Sequence, residues 1–400
     1  MFHKILVGVK KPFLKMLPIP EPKLVSGAGT VSQITELCKE LGITHPLIVT
    51  DKVLVELRII EPVLSTLQQT GLPFTLFDEV APDPGFDEVR NGVRLFIDNR
   101  CDGIIAVGGG SPMDCAKAIS ASAKTNKDVS KLFGLMRVHR PVYPVIAVPT
   151  TSGTGSEGTV AAVISDHQAR KKRAITDPFI VPKVALLDPN LMVGLPPKIT
   201  AETGADALTH AVESYISGYA NEYSQQLSIS AIQRIFRWLP VSMQDGSNLD
   251  ARQEMAQASY EAGLAFTRTY IGYVHAIAHQ LGAFYHVPHG RANAIVLPSV
   301  LRFIATADPK SIASLAKAAD YTSGDTDKTN AVAFIEKVEE LLTQLGIPDC
   351  VAELKIADIS LIAKQAIDEA FGDYPVPVEM SEVQCQNILK GLVKRMTNDQ

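Results

Sequence analysis

The sequence predicts an α/β N-terminal half built on a mainly parallel sheet, followed by an all-α C-terminal half. Three observations carry this reading. Short runs rich in β-branched residues alternate with helical patterns through the first half, the signature of βαβ units. That alternation stops near residue 195, beyond which apolar residues recur at helical spacing without short β-branched runs. The chain has 400 residues, 46% hydrophobic and 20% charged, enough to bury two cores. The expected division is therefore 1–195 and 196–400.

The elements follow in order. HPLIVTD (45–51) is an apolar strand ending in an acid, PFTLFDEV (73–80) a second strand, and FDEVRNGVRLFIDN (86–99) an amphipathic helix. CDGIIAVGGGS (101–111) and, after another helix, PVIAVPTTSGTGSE (144–157) are buried strands running into glycine-rich turns. In parallel sheets ligands gather at the carboxyl ends of strands. Pro and Gly cluster in DPNLMVGLPPKIT (188–200), where Thr200 is the expected N-cap of the next helix. Beyond it, AETGADALTHAVESYIS (201–217) and ARQEMAQASYEAGLAFTRTYIGYVHAIAHQLGAFY (251–285) read as long helices.

Charge and cysteine usage exclude several classes. A net charge of -5 and a pI near 6 provide no basic field for nucleic acid or an anionic membrane, and the run Arg170 to Arg173 reads as a solvated turn. The five cysteines are odd in number and form no CxxC pair, which argues against a disulfide framework and fits a reducing, cytoplasmic setting. The apolar run Ile5 to Val9, followed by Lys10 and Lys11, is too short for a signal or a span, so a soluble protein with no membrane partner is expected.

In IIAVGGGSPMDCAKAIS (104–120), Gly108, Gly109 and Gly110 remove side chains where the strand turns, and Ser111 is read as capping a helix with Pro112 in its first turn. Exposed N–H groups at such a helix start suit a pyrophosphate, although the usual GxGxxG spacing is absent. VPTTSGTGSE adds the hydroxyls of Thr150, Thr151 and Thr154, and a second glycine-rich strand end strengthens a nucleotide reading. Asp51 can accept hydrogen bonds from ribose hydroxyls and repel a 2'-phosphate; alternatively, it is a helix cap.

HAIAHQLGAFYHVPHG (275–290) holds four of the chain's nine histidines. His275 and His279 stand at i and i+4, as do Asp206 and His210 in GADALTHAVESY, so each pair shares one helix face. His289 follows Pro288, where another helix should start. One carboxylate and three imidazoles make a set suited to Zn²⁺ or Fe²⁺. His279, a turn beyond His275, is the better candidate for a proton relay than for a ligand. His286 reads as a bystander, and HEXXH is absent, which removes support for a metalloprotease.

GGGSPMDCAKAI, PTTSGTGSE, GADALTHAVESY and HAIAHQLGAFYHVPHGRANAIVLPSV together resemble the signature stretches of the iron-containing, group III alcohol dehydrogenases, over about residues 20–390. The resemblance implies a dinucleotide-binding α/β domain and an all-helical metal domain, an architecture shared with dehydroquinate synthase, with the active site in the cleft between them. It implies metal ligands at Asp206, His210, His275 and His289, and a histidine beside the nicotinamide at His279. It implies diphosphate contacts at Gly108 to Ser111 with Asp114 nearby, nicotinamide and ribose contacts at Thr150, Thr151, Thr154 and Thr159, and a cofactor contact at Lys172. The cofactors implied are NAD and one divalent metal, Fe²⁺ by family likeness, with Zn²⁺ also suited to the ligands. The chain departs from the pattern at Asp83, which adds a second acid near the ribose and favours NAD, and at Ala161, which speaks against a small diol.

The expected function is NAD- and metal-dependent oxidation of a primary alcohol or reduction of an aldehyde by a homodimer or higher homo-oligomer. The rivals are a dehydroquinate synthase-like lyase, whose metal set resembles Glu plus two His, a polyol- or hydroxy-acid-acting enzyme of the same fold, and a non-catalytic metal or nucleotide sensor. Arg268, seven residues before His275, is expected on nearly the same helix face and is a candidate for lining a substrate channel. The alternative for Arg268 is an ion pair with an acid on a neighbouring helix.

Overall fold

The computed structural model describes residues 3, 6–9, 11, 18–167 and 171–394. Ile5 and Lys10 of the N-terminal run, and Arg170 of the basic run, lie outside the described residues. The strands are β1 (Lys23–Ser26), β2 (Pro46–Val49), β3 (Thr75–Phe77), β4 (Gly103–Gly108), β5 (Gly134–Leu135), β6 (Val145–Pro149), β7 (Ala161–Asp166), β8 (Lys171–Thr176) and β9 (Val184–Leu187). The α-helices of the first half are α1 (Ile34–Glu40), α2 (Lys52–Glu56), α3 (Glu61–Gln69), α4 (Phe86–Asp98) and α5 (Gly110–Thr125). Those of the second half are α6 (Pro197–Ile216), α7 (Glu222–Gln244), α8 (Leu249–Thr269), α9 (Tyr273–Tyr285), α10 (His289–Ala307), α11 (Pro309–Ala318), α12 (Asp327–Gln344), α13 (Ile359–Ala370) and α14 (Glu382–Gly391).

Two compact units result. The first comprises Pro18–Pro196 and Asp245–Thr267. Its main sheet has the order β1-β9-β6-β4-β2-β3, every pair parallel. Leu47, Val49, Ile104, Ala106, Val145 and Ala147 face α4 and α5, while Ile48, Ile105, Val107, Ile146, Val148, Val184 and Leu186 face α1 and α3. Burial on both faces explains why these strands read as unbroken apolar runs. Strand order reverses between β2 and β4, whose carboxyl ends lead into Asp51 and Gly109. A smaller sheet, β5-β8-β7, pairs β7 and β8 antiparallel.

The observed division departs from a single cut at residue 195. Helix α8, up to Thr267, belongs with the sheet because its backbone meets the turn after β6. A methyl group on Gly263 would lie 2.4 Å from the Gly155 carbonyl oxygen, and one on Gly155, whose φ is +60°, would lie 2.5 Å from the Ser259 carbonyl oxygen. Helical periodicity identified α8 as a helix but carried no information about which core it joins.

Three local expectations are also corrected. The stretch 251–285 is two helices, because α8 ends at Thr269, Tyr270 takes a φ of 58° and Gly272 is the N-cap of α9. Thr200 lies buried inside the first turn of α6, which begins at Pro197; proline's fixed φ and missing N–H suit that position. The N-cap of α5 is Gly109, with Ser111 already helical.

The second unit comprises Pro197–Gln244 and Arg268–Gln400 with the described residues of Met1–Leu17. Its centre is α6, on which every residue from Gly204 to Ile216 is buried. A helix enclosed on all sides is a core helix, so each polar residue on it needs a partner. Among the described residues no helix is long and apolar enough to cross a membrane.

Candidate active site

Asp206, His210 and Glu213, three buried polar residues on successive turns of α6, organise a cluster within the second unit. One ligand atom each from Asp206, His210, His275 and His289 can be chosen so that all lie within 4.8 Å of one another. At a metal–ligand distance of about 2.1 Å, two ligands of one ion are at most about 4.2 Å apart, so small side-chain adjustments close the set. Helix α9 supplies His275, and α10, which starts at His289 as Pro288 predicts, supplies the fourth group. Gly290 permits this approach, since a methyl group there would lie 2.3 Å from the Glu202 carbonyl oxygen.

Neighbouring groups fix the donors. His275 Nδ1 is 2.7 Å from Glu213 Oε2, and Glu213 also accepts from the Gly272 and Val274 amides at 2.7 and 2.8 Å. Burial and the adjacent His210 hold the His275 imidazole well below its ordinary pKa and therefore neutral, as a ligand must be. Its Nε2 is buried and has no hydrogen-bond partner, an atom that a metal would satisfy. Asn293 donates to Asp206 Oδ1 at 2.7 Å and lies 3.2 Å from His289 Nε2. Burial alone would raise the Asp206 carboxyl, yet His210, His289, His275 and the Asn293 amide outweigh it and hold the group below the usual carboxylate range.

His279 stands beside this set, its ring centroid 5.4 Å from that of His289. Its Nδ1 is 2.7 Å from Glu369 Oε1 on α13.

In the first unit, Asp51 caps α2, its Oδ1 accepting from the Leu54 amide at 3.0 Å. The Thr150 amide donates to the Gly108 carbonyl at 3.0 Å and so joins the two glycine-rich turns. Thr154 Oγ1 accepts from the Ser156 amide, and Ser111 Oγ accepts from the Asp83 amide, both at 3.3 Å. Asp114 and Thr159 are drawn into a buried knot around Lys117. Asp114 accepts from Ser156 Oγ at 2.6 Å and from the Val163 amide at 2.9 Å, and Thr159 Oγ1 lies 2.8 Å from Lys117 Nζ. Lys117 also donates to the Ser156 and Ala161 carbonyls at 2.6 and 2.8 Å. Burial pulls the Lys117 ammonium down to about 8, against the carboxylates of Asp114 and Glu157.

Residues 20–189 match the model described as iron-containing alcohol dehydrogenase, and residues 200–393 match that family's C-terminal model. The chain belongs to the iron-containing alcohol dehydrogenase family. It is 40% identical over 348 residues to the 1,3-propanediol dehydrogenase of Citrobacter freundii, covering 86% of this chain and 90% of that one. It is 37% identical to the NAD-dependent methanol dehydrogenase of Bacillus methanolicus, covering 87% and 92%. The crystal structure of a 1,3-propanediol oxidoreductase superposes with a TM-score of 0.90 at 37% identity, over 94% of this chain and 99% of that one.

This family member is an oxidoreductase of alcohols and aldehydes, which removes the lyase and sensor alternatives. Several residues of the dehydrogenase escaped sequence reading. Glu213 was legible in principle, three residues after His210 on the same helix face, and Asn293 one turn after His289. Glu369 and Lys117 were not, since their partners are distant in sequence. Arg268 does not share a helix face with His275, because no continuous helix joins them. Its guanidinium lies over the Tyr223 ring, 5.1 Å from the centroid.

Proposed function

We propose that this dehydrogenase uses NAD and one divalent metal, Fe²⁺ in preference to Zn²⁺, to interconvert small primary alcohols and aldehydes. The observation that carries the proposal is the cluster of Asp206, His210, His275 and His289 around the partnerless His275 Nε2. The names of the 1,3-propanediol and methanol dehydrogenases support a small primary alcohol as substrate, and the methanol enzyme's name supports NAD.

When bound, the metal supplies a Lewis acid that lowers the pKa of an alcohol hydroxyl, and NAD supplies the hydride acceptor. The four residues hold the ion. Glu213 accepts a hydrogen bond from His275 Nδ1–H and so keeps the Nε2 lone pair available. His279 receives the substrate proton at Nε2, because its Nδ1 is engaged by Glu369. Asp51 accepts from ribose hydroxyls through its second carboxylate oxygen. Gly108, which ends β4, and Gly109, Gly110 and Ser111, at the start of α5, bind the diphosphate through backbone amides. Thr150, Thr151 and Thr154 line the neighbouring turn, Asp114 and Thr159 act by holding its loops in place, and Lys172 contacts the cofactor.

The reading extends to a homo-oligomer in a reducing, cytoplasmic compartment; five free cysteines support the compartment. The deciding experiment follows NADH formation and consumption by metal-defined enzyme with a panel of primary alcohols and aldehydes. No turnover by enzyme loaded with Fe²⁺ or Zn²⁺ on any of them overturns the proposal.

A further inference from the structure

Three donors converge on one carboxylate in the second unit. Glu369 Oε1 lies 2.7 Å from His279 Nδ1 and accepts from Tyr374 Oη at 2.7 Å, while Oε2 accepts from Gln280 Nε2 at 2.7 Å. The first and third of these donors are adjacent on α9, and Glu369 is the penultimate residue of α13. The last turn of a helix is the unfavourable end of its dipole for an acid, so helix stability does not explain a carboxylate there.

The arrangement leaves His279 little freedom. A carboxylate offers acceptors only, so the hydrogen on His279 must sit on Nδ1, and the lone pair is then on Nε2. Tyr374 and Gln280 hold the carboxylate so that it cannot swing away. His275 and Glu213 repeat the motif one turn earlier on α9, with Nδ1 again 2.7 Å from a carboxylate oxygen.

We infer that Glu369 is a positioning residue for the dehydrogenase reaction, fixing the tautomer and ring orientation of His279 so that Nε2 receives the proton leaving the alcohol. The inference rests on the proton-carrying role proposed for His279. Glu369→Gln is nearly isosteric but can present an amide N–H₂ to Nδ1, which allows the wrong tautomer.

The test is a double-mutant cycle on metal-loaded enzyme, with Glu369→Gln made in the wild-type and His279→Ala backgrounds. Glu369→Gln is expected to lower kcat by about tenfold, with KM for NAD and metal content unchanged, because general acid–base catalysis contributes about 10²–10⁴ in rate. In the His279→Ala background it should cost nothing further. Glu369→Asp should recover part of the loss. A second readout needs no turnover. With isotope-labelled histidine in metal-free protein, the resonances that disappear in His279→Ala should report a protonated Nδ1 in wild type and lose that signature in Glu369→Gln.

Equal losses in both backgrounds, or wild-type kcat in Glu369→Gln, overturn the inference while leaving the role of His279 intact. Wild-type kcat in His279→Ala overturns that role and this inference with it. Should Glu369→Gln not fold, Tyr374→Phe removes one restraint on the carboxylate and should lower kcat by about threefold in the wild-type background only; equal losses in both backgrounds again overturn the inference.

Discussion

Lys172 Nζ lies 3.0 Å from Asp83 Oδ1, so the lysine that the family resemblance places at the cofactor is paired with the acid expected to repel a 2'-phosphate. Burial raises the Asp83 carboxyl, but Lys172 outweighs it with help from Ser165 and His167, and the group is held below its ordinary value. Both side chains are partly exposed, at 29% and 48%, so the pair itself contributes little to stability.

Cofactor choice should therefore depend on Asp51 alone. Asp51→Asn should raise kcat/KM for NADP relative to NAD by about tenfold, the effect of removing one close like charge. Asp83→Asn should change that ratio by less than about twofold, since Lys172 already offsets its charge. A larger effect from Asp83→Asn would show that Lys172 does not screen it.

Glu213→Gln should weaken metal binding by about 10- to 100-fold, because the new side chain no longer enforces a proton on His275 Nδ1. Competition with a chromogenic chelator measures this directly. Unchanged affinity would mean that His275 keeps its orientation without the carboxylate.

Metal removal should abolish alcohol oxidation without releasing the nucleotide, because the proposed NAD contacts belong to the first unit and the ligand set to the second. Fluorescence titration of chelator-treated enzyme with NADH checks the second half of this expectation, and turnover after verified metal loss would contradict the first.

Gly263→Ala should destabilise the protein by about 3 kcal/mol or more, since its methyl would sit 2.4 Å from the Gly155 carbonyl oxygen with backbone on both sides. Denaturant unfolding would show it as a lower midpoint. A wild-type midpoint would mean that α8 can shift away from the turn without cost.

Burial pushes the Glu157 carboxyl up to about 7, against a backbone hydrogen bond and Lys117. The folded state thus binds a proton that the unfolded state has lost. The associated stability is present below about pH 4.5 and is lost as pH rises through about 7, an effect on the order of 3 kcal/mol. Glu157→Gln cannot titrate, so its melting temperature relative to wild type should be higher at pH 8 than at pH 5. A pH-independent difference would mean that Glu157 has the same pKa in the folded and unfolded states.

Much of this was legible in the sequence, for physical reasons. The strands around Ile104 and Ile146 are buried on both faces and read as continuous apolar runs. The candidate ligands Asp206 and His210 share a helix face by spacing alone, and Pro288 marks the start of α10. The edge strand β1 is mostly exposed and β5 is two exposed residues, so neither shows an apolar run. The division of units was hidden because the close approach of Gly155 and Gly263 depends on tertiary packing. The partners of Asp114 and Thr159, residues the family resemblance places at the cofactor, were not legible: their polar atoms meet Ser156 and Lys117, and only the folded loop reveals it.

The membership of α8 in the sheet-containing unit also bears on how the protein is made. The chain leaves that unit after Pro196, builds the helices up to Gln244 in the other, and returns for Asp245–Thr267. A ribosome that has released the first 196 residues has therefore delivered all the strands but not the helix that meets the turn after β6. The N-terminal half cannot reach its final packing until Thr267 has emerged, by which time α6 and α7 are already out. A gene cut at the obvious linker would yield two fragments, one without its closing helix and the other carrying a helix with no core of its own.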